Sequence, residues 1–259
     1  MLSIFRSIRS CGLLGPSQLL GLCAAWVFLG TIGPALAQPQ QALGTWQLSA
    51  GWQDYSESQM QLKGSELGVH WTSMSWGAYT LDAHAQLGLQ NYNSPQSGHL
   101  EHVPNLDTRW RALRGSTTQP QWQFGLALHT HNNFMRGTTS LGYGGYDRLS
   151  TQLWLPVRWQ SVGDQWWAVD AGWLLWGEHV SRLKQVNPSL QDVTSKQSRG
   201  FYLQVSKKFN SSRGTIEPYA RWTWVDDSDV QKITVAGQVT GAYEPENNRL
   251  QAGVKWQFR

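Results

Sequence analysis

Apolar and polar residues alternate along most of the chain, in segments of about ten residues. In the segment 78–90, every odd position from Tyr79 to Leu89 is apolar, and every even position from Thr80 to Gln90 is polar or glycine. Because successive side chains of a β-strand point to opposite faces, this segment forms a strand with one apolar face and one wet face. Its thirteen residues exceed the usual length of a strand in a soluble protein.

The same alternation recurs along the chain and predicts an all-β protein of about ten strands. These strands are predicted at residues 44–53, 65–73, 78–90, 106–114, 122–132, 147–159, 166–176, 200–209, 215–225 and 248–258. A further ribbon alternates between Val230 and Val239, so a chain of twelve strands is an alternative.

The connections between these strands are predicted to alternate between long and short. Long links follow the odd-numbered strands, at 54–64, 91–105, 133–146, 177–199 and 226–247. Short links follow the even-numbered strands, at 74–77, 115–121, 160–165 and 210–214. Such alternation, with an even strand number, is typical of transmembrane barrels, whose two ends face different compartments.

The first 37 residues have the features of a cleavable signal peptide. Arg6 and Arg9 precede an apolar stretch from Leu19 to Gly33, and the segment ends in the small-x-small site Ala35-Leu36-Ala37. The apolar stretch is shorter than a spanning helix requires. Cleavage after Ala37 removes both cysteines, Cys11 and Cys23, so a disulfide framework or a thiolate metal site is excluded in the mature chain.

Removal of the signal peptide also changes the charge and the aromatic content. Nineteen of the 21 basic residues remain beside all 17 acidic ones, and this near balance does not indicate a nucleic-acid partner. Fifteen of the sixteen tryptophans remain. The apolar aromatics nearest the short links are predicted to form a belt at the membrane interface: Trp46, Trp71, Tyr79, Trp122, Trp159, Trp167, Phe209 and Phe258.

In these patterns the sequence resembles the outer-membrane β-barrel proteins of Gram-negative bacteria. The last strand, Arg249 to Phe258, is similar to the C-terminal signal that the assembly machinery of this class reads, although Arg259 follows the terminal aromatic. The resemblance implies a transmembrane, antiparallel, up-and-down barrel over residues 38–259, with both termini in the periplasm. It further implies the outer membrane as location, with its lipid and lipopolysaccharide and the assembly machinery as partners.

Polar residues on the opposite face of each strand are predicted to line the interior of the barrel. Buried charges need partners that offset their desolvation, so we expect an interlocked network that plugs the barrel; a narrow polar channel is the alternative. The predicted lining residues are Glu66, Asp82, His84, Asp107, Arg109, Arg111, His129, His131, Arg148, Arg158, Asp170, Glu217, Arg221, Arg249 and Lys255.

Two pairs on this face are candidates for chemistry. Asp82 and His84, and likewise His129 and His131, stand two residues apart and so share one side of their strand. An Asp–His pair can act as a general base, and proteases of the omptin kind use such a pair with further aspartates. Here the pair lies in the middle of a strand, so we predict neither a catalytic site nor a metal or cofactor.

Three functions are compatible with these patterns. The first is a structural or narrow pore-type protein of the outer membrane. The second is a barrel hydrolase that acts on surface peptides or on lipid, with Asp82 and His84 as its candidate residues. The third is a soluble periplasmic barrel that binds an apolar ligand, which requires an apolar interior and a polar exterior.

Overall fold

The computed structural model describes residues 44–73, 78–115, 121–163, 165–235 and 238–258. The predicted signal peptide, 1–37, lies outside the described residues, so its cleavage stays a prediction. Within the described ranges, no helix is long and apolar enough to cross a membrane.

Strands account for most of the described chain, which also contains one short 3₁₀ turn at Leu183–Gln185. The strands are β1 (Thr45–Glu57), β2 (Met60–Thr72), β3 (Tyr79–Ser94), β4 (Gly98–Arg114), β5 (Gln121–Phe134), β6 (Asp147–Gln160), β7 (Trp167–Ser181), β8 (Val193–Gln197), β9 (Gly200–Lys207), β10 (Phe209–Ser211), β11 (Gly214–Val225), β12 (Gln231–Val235), β13 (Gln238–Ala242) and β14 (Asn247–Phe258).

Antiparallel pairing joins these strands into a closed ring. Each strand from β1 to β7 pairs with the next, β7 pairs with β8 and β9, and β9 pairs with β11. β11 then pairs with β14, and β14 pairs with β1, where Leu48 lies opposite Trp256. Since β8, β9 and β10 follow one another along a single position of the ring, the described strands form a ten-stranded barrel. The predicted all-β, up-and-down barrel is therefore confirmed.

The predicted ribbon within 226–247 is present as the hairpin β12–β13. It forms a sheet of its own and does not enter the barrel wall. The twelve-stranded alternative is thus wrong for the barrel, although the ribbon itself is correct.

The outer face of the barrel wall is apolar all the way around. Leu67 on β2, Leu126 on β5 and Trp173 on β7 are each more than half exposed. Exposed apolar side chains also stand on β6, β9, β11 and β14, where they are Leu155, Leu203, Trp222 and Leu250. Of the predicted aromatic belt, Trp46, Tyr79, Trp122, Trp167 and Phe209 are exposed on this face, and Trp71 and Trp159 are half-buried there; the side chain of Phe258 lies outside the described part. In water this surface would be an aggregation liability.

Beyond the apolar belt, at the end with the long loops, the polarity of the wall reverses. Asp54 and Lys63 form an external ion pair at 3.3 Å, whereas Tyr55 and Leu62 are buried on the inner face. Together with Val103 and Met135 they form an apolar cluster inside the barrel. This is the arrangement of a sheet whose outer face meets water, so it marks the upper edge of the belt.

Two of the predicted long loops are wrong for this reason. Strands β1 and β2 continue past the belt to a two-residue turn at 58–59, and β3 and β4 continue to a turn at 95–97. The apolar–polar alternation is lost at 54–64 and 91–105 because the polarity of the wall reverses there, and strand pairing continues through both segments. The other long links, which begin after β5, β7 and β11, include loop residues as predicted.

Irregularities in two strands change which side chains face inward. β7 contains a bulge near Leu175, after which Trp176 is also exposed and the alternation reverses, so His179 points inward. β4 contains a bulge near His102, a non-glycine residue with a φ of 56°. There the side-chain oxygen of Asn91 accepts a hydrogen bond from the His102 backbone amide at 3.2 Å.

An outward-facing position tests whether the apolar face meets lipid. Leu126 lies near the middle of the belt on β5 and is 52% exposed, and Leu141 in the loop after β5 is 60% exposed. In a bilayer we expect Leu126→Arg to lower the free energy of unfolding by about 2–4 kcal/mol, because the guanidinium must enter hydrocarbon. Unfolding by guanidinium chloride of the protein reconstituted in liposomes measures this free energy. Leu141→Arg is the matched control and should change little; equal effects of the two changes would contradict a lipid-facing wall.

Candidate functional site

The interior of the barrel is polar, and the structure brings the predicted lining residues together there. All fifteen predicted side chains lie on the inner face. Arg111, Arg158 and Arg249 are half-buried, and the other twelve are buried. The apolar interior that a soluble ligand-binding barrel would require is therefore missing from the described part of the chain.

The first bridge across the interior lies toward the short-turn end and is centred on Arg111. Its guanidinium donates to Asp82 on the neighbouring strand at 2.6 Å and to Asp170 on β7. The hydroxyl of Tyr202 donates to the other oxygen of Asp170 at 2.8 Å. Nearby, the Lys255 ammonium donates to Glu217 at 3.0 Å. Each carboxylate at this level thus has a cationic partner.

Glycine makes room for this bridge. An ideal Cβ at Gly172 would lie 2.3 Å from a ring carbon of Tyr202, closer than two carbon atoms can approach. The absence of a side chain at Gly172 therefore leaves the space on β7 that the Tyr202 ring occupies. A larger residue would displace the hydroxyl that donates to Asp170.

The second bridge lies near mid-height and joins β4 to β14. Asp107 accepts from Arg109 at 3.0 Å and from Arg249 at 2.7 Å. Arg109 also donates to the Gln251 side chain at 2.6 Å, and Gln251 in turn donates to Glu66 at 3.2 Å. The chain of donors and acceptors crosses the barrel without a break.

The third bridge closes the long-loop end. Arg148 on β6 donates to Glu57 at the end of β1 and to Glu244, which belongs to the loop between β13 and β14. The apolar cluster of Tyr55, Leu62, Val103 and Met135 packs at the same end. A loop side chain therefore completes the closure of the barrel mouth.

A carboxylate outside the apolar belt ties two loops to β6. Asp147 accepts hydrogen bonds from Arg136 at 2.7 Å and from the Gln185 side chain at 2.9 Å. Burial acts to raise the pKa of the Asp147 carboxyl, but these hydrogen bonds and the Arg136 charge outweigh it and hold that pKa below its usual range. The Asp147 carboxylate is therefore ionised at neutral pH, as its hydrogen bond with Arg136 requires.

The predicted catalytic candidates are not arranged as a catalytic pair. Asp82 is held by Arg111, and the ring of His84 instead faces the ring of His70, with centroids 5.4 Å apart. His129 packs against Trp154 and Tyr202, with ring centroids 5.7 and 5.9 Å away, whereas His131 approaches Asp107 at 3.4 Å. Among the described residues, no group of three or more His, Cys, Asp and Glu side chains is placed to hold a metal ion.

A Ser–His–Glu arrangement appears in the third bridge. The Ser150 hydroxyl lies 2.8 Å from His179 Nδ1, and His179 Nε2 lies 3.1 Å from Glu244. Glu244 is already paired with Arg148. Ser150 borders a void of about 20 Å³, which holds about one water molecule. That void is too small for a peptide or a lipid, and Glu244, the acidic member of the three, already takes part in the third bridge.

Sequence reasoning missed several of these interior residues. Glu57 and Glu244 fall in segments that were predicted as loops, and His179 follows a bulge that reverses the alternation. Trp154 occupies an inner position of β6 and is fully buried against Tyr202. The sequence could have predicted this, because Trp154 and the predicted lining residue Arg158 both occupy even positions of β6 and so share its inner face.

Comparison with solved structures finds bacterial outer-membrane barrels with low sequence identity. The chain is similar to the outer membrane protease OmpT from Escherichia coli (12% identity, 83% of this chain, 94% of that chain, TM-score 0.42). It is similar to an outer membrane channel from Pseudomonas putida F1 (12% identity, 88% of this chain, 100% of that chain, TM-score 0.44). It is also similar to the translocator domain of the autotransporter NalP from Neisseria meningitidis (10% identity, 93% of this chain, 96% of that chain, TM-score 0.44). No family model and no curated protein matches the sequence.

Removal of the first bridge tests its role. Arg111→Met leaves Asp82 and Asp170 buried without that partner, so we expect a loss of about 3–5 kcal/mol in the free energy of unfolding. Denaturant unfolding of the folded barrel in detergent measures this. The triple change Arg111→Met, Asp82→Asn and Asp170→Asn should recover part of the loss. Lys63→Met, which breaks the exposed pair with Asp54, should cost less than about 1 kcal/mol; an equally small effect of Arg111→Met would contradict the bridge.

Proposed function

We propose that this chain is an integral protein of the bacterial outer membrane whose barrel is closed to ions and serves a structural role in the envelope. The observation that carries this proposal is the set of three bridges, centred on Arg111, Asp107 and Arg148, that cross the polar interior at successive heights. The apolar outer face supports the membrane location, because in lipid it needs no further partner.

The orientation follows from the difference between the two ends. The long-loop end bears the hairpin β12–β13 and the extended walls with polar exteriors, whereas the short-turn end bears the predicted aromatic belt. In this proposal the short-turn end and both chain termini face the periplasm. The predicted signal peptide provides export, the assembly machinery reads β14, and lipid and lipopolysaccharide surround the wall.

The sequence predicted either a structural or a narrow pore-type protein, and the filled interior favours the structural role over the pore. A channel needs a continuous path for water, whereas each bridge here places ion-paired side chains across the lumen. The aromatic cluster of Trp154, Tyr202 and His129 occupies further space between β6 and β9. The hydrolase alternative has no specific support, since Asp82 and His84 are separately engaged.

Planar-bilayer recording tests the closed barrel. We expect the folded mature protein to insert without sustained conductance steps, because every water path meets a layer of paired charges. A porin reconstituted in the same bilayers shows that conductance would be detected, and the heat-dependent gel mobility of the same sample shows that the barrel is folded. Reproducible steps of constant size would contradict the closed interior and support a narrow pore.

A further inference from the structure

A cavity of about 180 Å³ lies inside the short-turn end of the barrel, below the bridge centred on Arg111. It is lined by side chains from several strands and by Trp166, which precedes β7. For comparison, an apolar protein cavity of about 150 Å³ accommodates benzene. The space therefore suits a small organic molecule, while the Arg111 bridge separates it from the interior above.

The charges around this cavity leave an excess of positive groups. Its three carboxylates, Asp82, Asp170 and Glu217, are engaged by Arg111 and Lys255. Two further cations line the same space. The nearest carboxylate contact of Arg158 is to Asp82 at 3.9 Å, and Lys208 makes no ion pair within the described ranges.

These two cations both lie near the aromatic ring of Trp166. The Arg158 guanidinium lies 5.8 Å from the Trp166 ring centroid, and the Lys208 ammonium lies 5.4 Å from it. The arrangement holds both positive groups at the wall of the cavity. It also provides an aromatic surface against which a planar ligand could pack.

Buried polar atoms without partners line the same cavity. Both ring nitrogens of His70 and the hydroxyl of Thr80 have no hydrogen-bond partner in the described structure, although each side chain is more than nine-tenths buried. Buried polar groups in native proteins normally have a partner. Their position on the cavity wall therefore indicates that a polar ligand or ordered water completes their bonding.

We propose that this cavity is a binding site for a small organic anion, whose carboxylate or phosphate group is bound by Arg158 and Lys208 and whose body packs against Trp166. Arg158 offers a planar fork that matches either oxyanion, and Lys208 adds a point charge. His70 and Thr80 contact the inner part of the ligand. The site is independent of conduction, and in the orientation proposed above it opens toward the periplasm.

Calorimetric titration of the folded mature protein in detergent tests the site. Benzoate represents a planar carboxylate, phenyl phosphate represents a phosphate ester, and benzyl alcohol is the neutral analogue. We expect saturable binding of at least one anion and a dissociation constant at least tenfold weaker for benzyl alcohol. Which anion binds more tightly identifies the charged group of the ligand.

Variants separate this site from general attraction to a basic surface. Arg158→Gln and Lys208→Gln should each weaken anion binding about tenfold or more, with unchanged heat-dependent mobility as evidence of folding. Lys207→Gln is the matched control, because Lys207 is the adjacent residue but lies over Trp167 and Phe209 on the outer face; it should bind as the unmodified protein does. Absence of saturable binding of both anions, equal binding of benzyl alcohol, or equal weakening by Lys207→Gln would overturn the proposal.

Discussion

The closure of the sheet between β1 and β14 is the constraint on which the rest of the structure depends. Hydrocarbon provides no partner for backbone amides and carbonyls, so a sheet in a membrane cannot have a free edge. Pairing of Leu48 with Trp256 and of the positions beyond it removes that edge. Once the ring is closed, the two faces of each strand have fixed surroundings: in the proposed membrane setting the outer face meets lipid, and the inner face meets the other strands.

Closure of the ring also explains how the charged side chains of the interior are arranged. A polar face enclosed by ten strands has little water to solvate it, so most of its charged side chains pair with oppositely charged groups. Arg111, Arg148 and Asp107 each contact two oppositely charged groups, and at least one of these lies on a distant strand or loop. The same side chains that satisfy one another also fill the space that a channel would need.

Alternation of apolar and polar residues was sufficient to predict the barrel, because one side chain in every two points outward and is apolar throughout the belt. Above the belt the rule fails in the sequence but pairing continues: Tyr55 and Leu62 turn an apolar face inward, and the outer Asp54–Lys63 pair meets water. An alternation with a period of two does not predict local bulges either, so the inward position of His179, which follows the bulge in β7, was missed. The role of Glu244 depends on how a loop folds back over the mouth, and no spacing along the chain predicts that.

Gel mobility of the folded protein in SDS, with and without heating, tests the central claim that this chain forms a closed barrel in the outer membrane. The closed ring should resist SDS until it is heated, so the unheated protein from the outer-membrane fraction is predicted to migrate faster than the heated one. The heated form should migrate at the size left by cleavage after Ala37. Identical mobility before and after heating, together with recovery of the protein from the soluble periplasm, would contradict the lipid-facing barrel.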